Sequence, residues 1–245
     1  MWFGIISIFP SMFDILKYYG ITSYAYGNKN FDIEFFNPRS YSKQKLYGKP
    51  YGGGKGVIMS YSPIADAINQ AKKKRPNALV VYTSPKGKSI DNNIIIKLSK
   101  FKSIIFVSGR YEDIDYRIIK KEIDVEISIG DFIVSGGEIP IMLVMDSICR
   151  LLPGVIKNSD SINIESFNNN LLDYQQYTKP ESIKQHKVPK VLLKGNHYEI
   201  SKWRYKQRLG NTFFKRPDLL HNKIFSVTDK LLLNNFINEI KKSSK

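Results

Sequence analysis

The sequence predicts an α/β domain built on a parallel sheet, followed by a smaller, all-helical domain. Short apolar runs alternate with segments of helical period through the first 150 residues, which is typical of parallel strands joined by crossover helices. From residue 171 onward the apolar spacing is helical, and the polar, asparagine-rich stretch before it is typical of a linker. We therefore expect an N-terminal domain at residues 1–157, a flexible linker at 158–170 and a helical domain at 171–245.

Several elements of the first domain can be placed individually. Apolar runs of strand length, bounded by turn-forming residues, predict buried strands, and longer segments with a period of 3.6 residues predict helices. The predicted strands cover residues 2–9, 78–83 and 103–108, and the predicted helices cover residues 63–74 and 138–152.

The composition is that of a folded and strongly basic protein. Of the 245 residues 42% are hydrophobic and 24% are charged, which excludes a disordered or collagen-like chain. Thirty-eight Lys and Arg residues against twenty-two acids give a formal charge of +16, enough to attract a polyanion. Charge alone leaves RNA, DNA and an anionic membrane open, and a codon bias that enriches lysine over the whole surface is an alternative explanation.

Cysteine and histidine usage gives no sign of a disulfide or a metal site. Cys149 is the single cysteine, and three scattered histidines lack the spacing of metal ligands. The apolar start of the chain has no basic flank, and no apolar run approaches the roughly 18 residues that span a membrane. We expect no metal, no membrane association and a reducing, cytoplasmic location.

Three glycine-containing segments are candidates for ligand binding. Residues 50–56 (PYGGGKG) match neither a phosphate-binding Walker loop nor a dinucleotide-binding fingerprint. Residues 108–112 (SGRYE) follow a predicted strand, and residues 128–140 (SIGDFIVSGGEIP) precede a predicted helix. Ligands of open parallel sheets bind at the carboxyl ends of the strands, where glycines let the main chain approach them closely.

These segments, together with LLDYQQYTKP at 171–180 and GNHYEISKWRYKQ at 195–207, resemble bacterial tRNA (guanine-37-N1)-methyltransferases, the TrmD family. The resemblance extends from residue 1 to about residue 220. It implies a SPOUT-type α/β fold with a deep trefoil knot, S-adenosylmethionine as the cofactor, tRNA as the substrate and a homodimer with its active site at the subunit interface. It implies neither DNA binding nor a metal.

The resemblance also assigns residues to the two binding sites. The residues implied for the cofactor are Tyr82, Thr83, Ser84, Pro85, Gly109, Tyr111, Glu112, Ser128, Ile129, Gly130, Asp131, Phe132, Ile133, Val134, Gly136, Gly137 and Pro140. Those implied for RNA are Asp173, Lys202, Arg204, Lys206, Arg208, Lys215 and Arg216. Interleaved cations and aromatic rings near Trp203 are typical of phosphate contacts and base stacking, although we expect Trp203 itself to be buried.

Methylation of guanine at N1 requires a base, because this nitrogen of the neutral ring carries a proton and offers no free in-plane lone pair. The family pattern assigns that role to Glu165 and assigns to Arg150 the stabilisation of charge developing on O6. From the residues alone, Arg150 can equally complement a helix dipole, and Glu165 can be a solvated acid.

The chain departs from the family pattern at three positions. Phe132 replaces a tyrosine where contact through the main chain is expected, so this change should matter little. The other two departures concern carboxylates. The family base is an aspartate where this chain has Glu165, and the family has a glycine where this chain has Asp113. The first change moves a carboxylate by one methylene, and the second adds a negative charge beside the expected cofactor site. Two alternatives therefore remain open: a SPOUT methyltransferase that acts on another RNA, and an RNA-binding homologue with impaired catalysis.

Overall fold

The computed structural model describes residues 1–157, 164–184 and 186–243. The chain separates into two compact units, Met1–Lys157 and Asn158–Lys245. Residues 158–163, which form the first part of the predicted linker, lie outside the described residues. The rest of that linker includes a short 3-10 helix at Asn168–Asn170.

The N-terminal unit alternates strands and helices, as the sequence predicts. Its strands are β1 (Trp2–Ile6), β2 (Asp32–Phe36), β3 (Tyr47–Gly48), β4 (Ile58–Met59), β5 (Leu79–Ser89), β6 (Ser103–Val107), β7 (Asp113–Ile114) and β8 (Val125–Ser128). Its helices are α1 (Asp14–Tyr18), α2 (Gly20–Gly27), α3 (Tyr61–Lys74), α4 (Asn92–Leu98), α5 (Tyr116–Glu122) and α6 (Glu138–Cys149). Strand β1 ends at Ile6, earlier than expected, and a 3-10 helix at Pro10–Phe13 follows after three irregular residues.

Five strands form the main sheet in the order β2-β1-β6-β5-β8, and every pair in it is parallel. This arrangement confirms the predicted α/β class with a parallel sheet. Strands β3, β4 and β7 form a separate small sheet, in which β4 pairs parallel with β7. None of these three short strands was placed from the sequence.

Alternate residues of the central strands pack into two separate cores, as the two-residue period of a strand requires. Phe3 and Phe106 belong to one core, which also includes the buried side chains of α6. Val80 and Tyr82 belong to the other, which includes those of α3. The sheet is therefore covered by helices on both faces, which explains why its strands are almost continuously apolar.

Strand β5 contains an irregularity next to its neighbour β8. The parallel register between the two strands shifts between Thr83 and Lys88, so the intervening residues bulge out of the sheet. Gly87 lies against β8 at this point, and a Cβ atom added to it would lie 2.4 Å from the main-chain nitrogen of Ile127. The bulge thus has close backbone packing on one side.

In the part of the C-terminal unit that the structure describes, the α-helices include α7 (Lys190–Leu193), α8 (His197–Lys215) and α9 (Val227–Ser243). Leu171, Leu209, Leu220 and Leu232 form its buried apolar cluster. The expectation of an all-helical domain needs a correction, because Ser182–Ile183 and His186–Lys187 pair as a short antiparallel ladder. These two-residue strands have exposed side chains, so no buried apolar alternation marks them in the sequence.

Candidate active site

A cavity of about 470 Å³ lies where the bulge of β5 meets the segments that follow the carboxyl ends of β6 and β8. These strands are neighbours in the sheet, so the segments that follow them converge as expected for a ligand site of a parallel sheet. The volume falls within the range of small-molecule sites, roughly 300–1,000 Å³. The lining residues are Tyr82–Lys86, Gly109–Asp113, Ile127–Gly130, Phe132–Gly137 and Pro140.

Two glycines allow the loops around this cavity to pack against each other. A Cβ atom on Gly137 would lie 2.9 Å from Ser108 Cα, and one on Gly109 would lie 2.5 Å from the Tyr82 hydroxyl oxygen. The Gly137 N–H donates a hydrogen bond of 2.9 Å to the Gly109 carbonyl. A side chain at position 137 would push the two loops apart, and one at position 109 would displace the Tyr82 ring.

A buried ion pair joins the same two loops. Glu138, which opens α6, is 1% exposed and accepts a hydrogen bond of 3.0 Å from Arg110 Nε. Its second carboxylate oxygen accepts from Ser7 Oγ at 2.7 Å. The Arg110 guanidinium also lies 4.6 Å from the centre of the Phe9 ring. The first turn of α6 is therefore fixed to the loop after β6 and to the segment after β1.

A second polar cluster surrounds Asp113. Its carboxylate accepts hydrogen bonds from the Tyr82 hydroxyl and the Ile114 N–H, at 2.7 and 2.8 Å, and forms an ion pair with Lys86. Burial and the nearby Asp113 raise the pKa of Tyr82 far above its usual value, so the hydroxyl remains a donor. The hydrogen bond and charge of Asp113 raise the pKa of Lys86. The charge added at position 113 is thus compensated locally.

Tyr111 has a backbone conformation that few residues with side chains adopt. Its φ of 60° lies in the left-handed region, and its ring is exposed in the cavity wall with an edge-to-face contact to Tyr47 at 5.0 Å. The neighbouring Glu112 packs against Gly56, where a Cβ atom would lie 2.5 Å from the carboxylate. The PYGGGKG segment therefore reaches the edge of the cavity, a contact that the sequence alone did not indicate.

All the residues assigned to the cofactor from the resemblance line this cavity, with one exception. Asp131 is exposed and does not contribute to the lining. Lys86, Arg110, Asp113, Ile127 and Ser135 line it without having been assigned to the cofactor. Arg110 stands within the SGRYE motif, so the motif already contained a signal for its role.

The two proposed catalytic residues belong to different units. Arg150 is half-buried and follows the last residue of α6, where its N–H donates to the Asp146 carbonyl at 3.2 Å. Glu165 is half-buried in the C-terminal unit, where its carbonyl accepts from the Asn168 N–H at 3.3 Å. Their catalytic roles remain predictions.

The residues assigned to RNA differ in exposure. Lys202, Arg204, Lys215 and Arg216 are exposed, and ion pairs join Lys206 to Glu239 and Arg216 to Asp218. Arg208 is only 9% exposed, and its guanidinium donates to the carbonyls of Leu172 and Asn168 at 3.4 and 3.1 Å. This burial favours a structural role for Arg208 over the predicted phosphate contact.

Two further residues of the C-terminal unit can be assessed. Trp203 is half-buried and contacts the rings of Tyr174 and Tyr177, each with a centroid distance of 6.4 Å. Asp173 accepts hydrogen bonds from the Tyr174 N–H and the Gln176 side chain. No helix begins at Asp173, so its carboxylate holds the irregular segment that follows it.

Across residues 1–157, 164–184 and 186–243, no three His, Cys, Asp or Glu side chains cluster closely enough to hold a metal ion. Among the helices in these ranges, none combines the length and the apolar character needed to span a membrane.

A family model described as tRNA (guanine-1)-methyltransferase TrmD matches residues 1–222. The chain belongs to the TrmD family. A tRNA (guanine-N(1)-)-methyltransferase of Buchnera aphidicola subsp. Schizaphis graminum is 48% identical, with 100% of this chain and 93% of the relative covered. Its counterpart from Marinomonas sp. is 44% identical, with 98% of each chain covered.

A solved structure agrees with this membership. The crystal structure of tRNA (m1G37) methyltransferase from Aquifex aeolicus matches with a TM-score of 0.73 and 33% identity, covering 90% of this chain and 94% of that one. The resemblance stated from the sequence is therefore confirmed, and the chain is an enzyme of the tRNA (guanine-N1)-methyltransferase type. The noncatalytic alternative receives no support.

Proposed function

We propose that this TrmD-family enzyme uses S-adenosylmethionine to methylate N1 of guanosine 37 in tRNA, and that it does so as a homodimer. The observation that carries the proposal is the glycine-lined cavity at the carboxyl ends of β5, β6 and β8 in a chain of this family. We further propose that the enzyme acts in the cytoplasm. Its single cysteine is free and buried, as is usual for proteins of a reducing compartment.

The cavity suits S-adenosylmethionine in size and in chemistry. Ile127, Ile133 and Pro140 supply apolar surface for an adenosine, and the closely packed glycine loops bring main-chain N–H and C=O groups to the cavity wall. Lys86 compensates the Asp113 carboxylate in the lining, so the exposed carboxylate of Glu112 is the one available to a cationic group of the ligand. When bound, the cofactor supplies an electrophilic methyl group.

We propose Glu165 as the base that removes the N1 proton and Arg150 as the cation that stabilises negative charge on O6. A base in this position typically contributes about 10²–10⁴ in rate, and loss of one stabilising donor costs about 10²–10³. The extra methylene of Glu165, relative to the aspartate of the family pattern, is proposed to be accommodated by the segment around it. The two residues of one active site would come from different subunits.

An exposed apolar surface supports the proposed homodimer. Helices α1 and α2 and helix α6 lie close together in the N-terminal unit, and large apolar side chains project from all three. These exposed residues are Ile15, Tyr18, Tyr19, Ile21, Tyr24, Ile139 and Leu143. Ile139 directly precedes Pro140, which lines the cavity, so a partner bound here would border the methyl-donor site.

We also propose that the cavity belongs to the deep trefoil knot of SPOUT enzymes. The close backbone packing of Gly87 on Ile127 and of Gly137 on Gly109 supports a chain that passes tightly through its own loops. Such knots are nearly absent from other proteins. A crystal structure whose chain would become straight when pulled from both ends would refute the knot.

For tRNA, we propose contacts from the exposed cations of the C-terminal unit. Lys202 and Arg204 project from α8, and Lys215 and Arg216 follow at its end. The formal charge of +16 would strengthen attraction to the RNA backbone. Arg204 also lies 4.9 Å from the centre of the Tyr174 ring, so a cation and an aromatic surface are available together for RNA.

Methyl transfer to tRNA transcripts with guanosine or adenosine at position 37 tests the substrate. We expect transfer only to the guanosine transcript, and equal transfer to both would refute the assignment to position 37.

Glu165→Gln should lower the single-turnover rate by about 10²-fold or more without changing cofactor affinity. Glu181→Gln, an exposed acid of the same unit, is the matched control and should react at the normal rate.

Arg150→Ala should likewise lose about 10²-fold in the single-turnover rate without unfolding. A normal rate in this variant would remove Arg150 from the mechanism. If ribosomal RNA fragments were methylated faster than tRNA, the alternative of a SPOUT enzyme acting on another RNA would replace the present proposal.

A further inference from the structure

Asp113 occupies a position where the family pattern has glycine, and its carboxylate is bound from three directions. Tyr82 belongs to β5 just before the bulge, Lys86 lies within the bulge, and Ile114 follows Asp113 in β7. The main chain of Asp113 is itself held by pairing with Ile58 in the small sheet. One side chain therefore connects the bulge of the main sheet to the small sheet.

The segments connected in this way are two walls of the cavity. Tyr82–Lys86 form one wall, and Gly109–Asp113 form the adjacent one. On its other side the bulge rests against β8 through Gly87, where there is no room for a side chain. With Asp113 in place the bulge is held on both sides, whereas without it the ion pair to Lys86 and the hydrogen bond to Tyr82 are lost and the packing of Gly87 on β8 is retained.

We infer that Asp113 is a positioning residue that, with Lys86 and Tyr82, forms a clamp that holds the bulge of β5 in the shape required to bind the methyl donor. The inference rests on the proposed assignment of the cavity to S-adenosylmethionine. Preorganised walls raise affinity because the ligand does not have to order them on binding. The departure from the family pattern is then compensated by local partners, and it is not a defect.

The three side chains contribute unequally. Tyr82 is 3% exposed, so removing the carboxylate leaves a buried hydroxyl without its acceptor, which is costly. The Lys86 side chain is 71% exposed, so its ammonium can be hydrated when Asp113 is lost, and salt screens its ion pair. The hydrogen bond to Tyr82 should therefore matter more than the ion pair to Lys86.

Calorimetric titration with S-adenosylhomocysteine, the demethylated product, tests the clamp without catalysis. We expect Asp113→Ala to weaken binding by about tenfold. Asp113→Asn and Lys86→Met each remove the ion pair but leave an acceptor for Tyr82, so each should weaken binding by only about threefold. The double variant Asp113→Ala/Lys86→Met should bind no more weakly than Asp113→Ala, because both changes break one cluster. The effect of Lys86→Met should decrease in 0.5 M salt, roughly as expected for an exposed pair.

A matched control and a second measurement separate positioning from general damage. Lys74→Met breaks a surface ion pair with Glu34 outside the cavity lining and should leave affinity unchanged. Hydrogen exchange of the ligand-free protein should show faster exchange in Asp113→Ala at residues 84–88 and at Ile114, whose N–H loses its acceptor, with strands β1, β2 and β6 unaffected. KM for tRNA should not change.

The outcomes also distinguish the inference from the proposed function. Absence of binding by the unaltered chain would refute the methyl-donor assignment and the clamp with it. Normal binding by the unaltered chain together with unchanged affinity in Asp113→Ala and Lys86→Met would overturn the clamp alone. Uniformly faster exchange across the whole N-terminal unit in Asp113→Ala would also overturn it, because the residue would then be required for folding in general.

Discussion

Removing the negative charge of Glu138 should destabilise the N-terminal unit by about 3 kcal/mol. Breaking a buried ion pair typically costs about 3–5 kcal/mol, because the remaining charge is left without its partner. Glu138→Gln retains the volume and an acceptor for Ser7, and the Arg110 side chain is 18% exposed with its guanidinium still over the Phe9 ring. These retained contacts place the expected cost at the lower end of the range.

The two tryptophans make this cost measurable for one unit at a time. Trp2 is buried in the N-terminal unit and Trp203 lies in the C-terminal unit, so a Trp203→Phe background leaves Trp2 as the only indole fluorophore. Urea unfolding followed by Trp2 fluorescence then reports the stability of the N-terminal unit. Protein concentration must be the same for all variants, because dimerisation would contribute to stability.

Glu34→Gln provides the comparison with an exposed ion pair. Glu34 and Lys74 lie 3.3 Å apart with side chains that are 37% and 61% exposed, and such pairs contribute about 0–1 kcal/mol. If Glu138→Gln destabilised the unit no more than Glu34→Gln, the reasoning that the buried carboxylate joins the cavity loops would be refuted.

Three further predictions follow from the packing. Gly137→Ala should weaken S-adenosylhomocysteine binding by about tenfold or more in calorimetry, because its Cβ would lie 2.9 Å from Ser108 Cα, whereas affinity unchanged from wild type would contradict the close packing. Arg208→Ala should speed hydrogen exchange across residues 168–172, because the carbonyls of Asn168 and Leu172 at its two ends lose their donor, and unchanged exchange there would count against its structural role. Burial raises the pKa of the Cys149 thiol from 9.0 to about 12, so its contribution to stability is full below pH 9 and is lost between pH 9 and pH 12. Alkaline urea titrations of wild type and Cys149→Ala should differ across that interval, and parallel curves would show that the thiol is not buried.

The parallel sheet was predictable because its strands are long apolar runs, and the cavity because glycine motifs follow those runs. The pairing of Lys86 with Asp113 was not, since the two residues are distant in sequence and meet only through a bulge whose register shift leaves no mark in the apolar pattern. The two-residue strands of the small sheet are too short to show a period.

Arg208 shows a different limit of the sequence. A cation within a basic, aromatic segment is expected on the surface, since buried arginine is costly unless it is paired. The carbonyls of Asn168 and Leu172, about 40 residues earlier in the chain, accept hydrogen bonds from this guanidinium, and the local sequence pattern does not predict them. The helix was predictable from its spacing, whereas which of its cations turn inward depends on tertiary contacts.

Helix α6 sets the distance between the proposed methyl-donor cavity and the proposed catalytic residue Arg150. Glu138 anchors its first turn to Arg110 in the wall of the proposed methyl-donor cavity, and Arg150 follows its last turn. Twelve residues at about 1.5 Å each fix a separation of roughly 18 Å, and a rigid rod transmits any displacement of one end to the other. Inserting one residue into the helix would rotate Arg150 by about 100° about the helix axis. The proposed mechanism therefore depends on the length of α6 as well as on the residues at its ends.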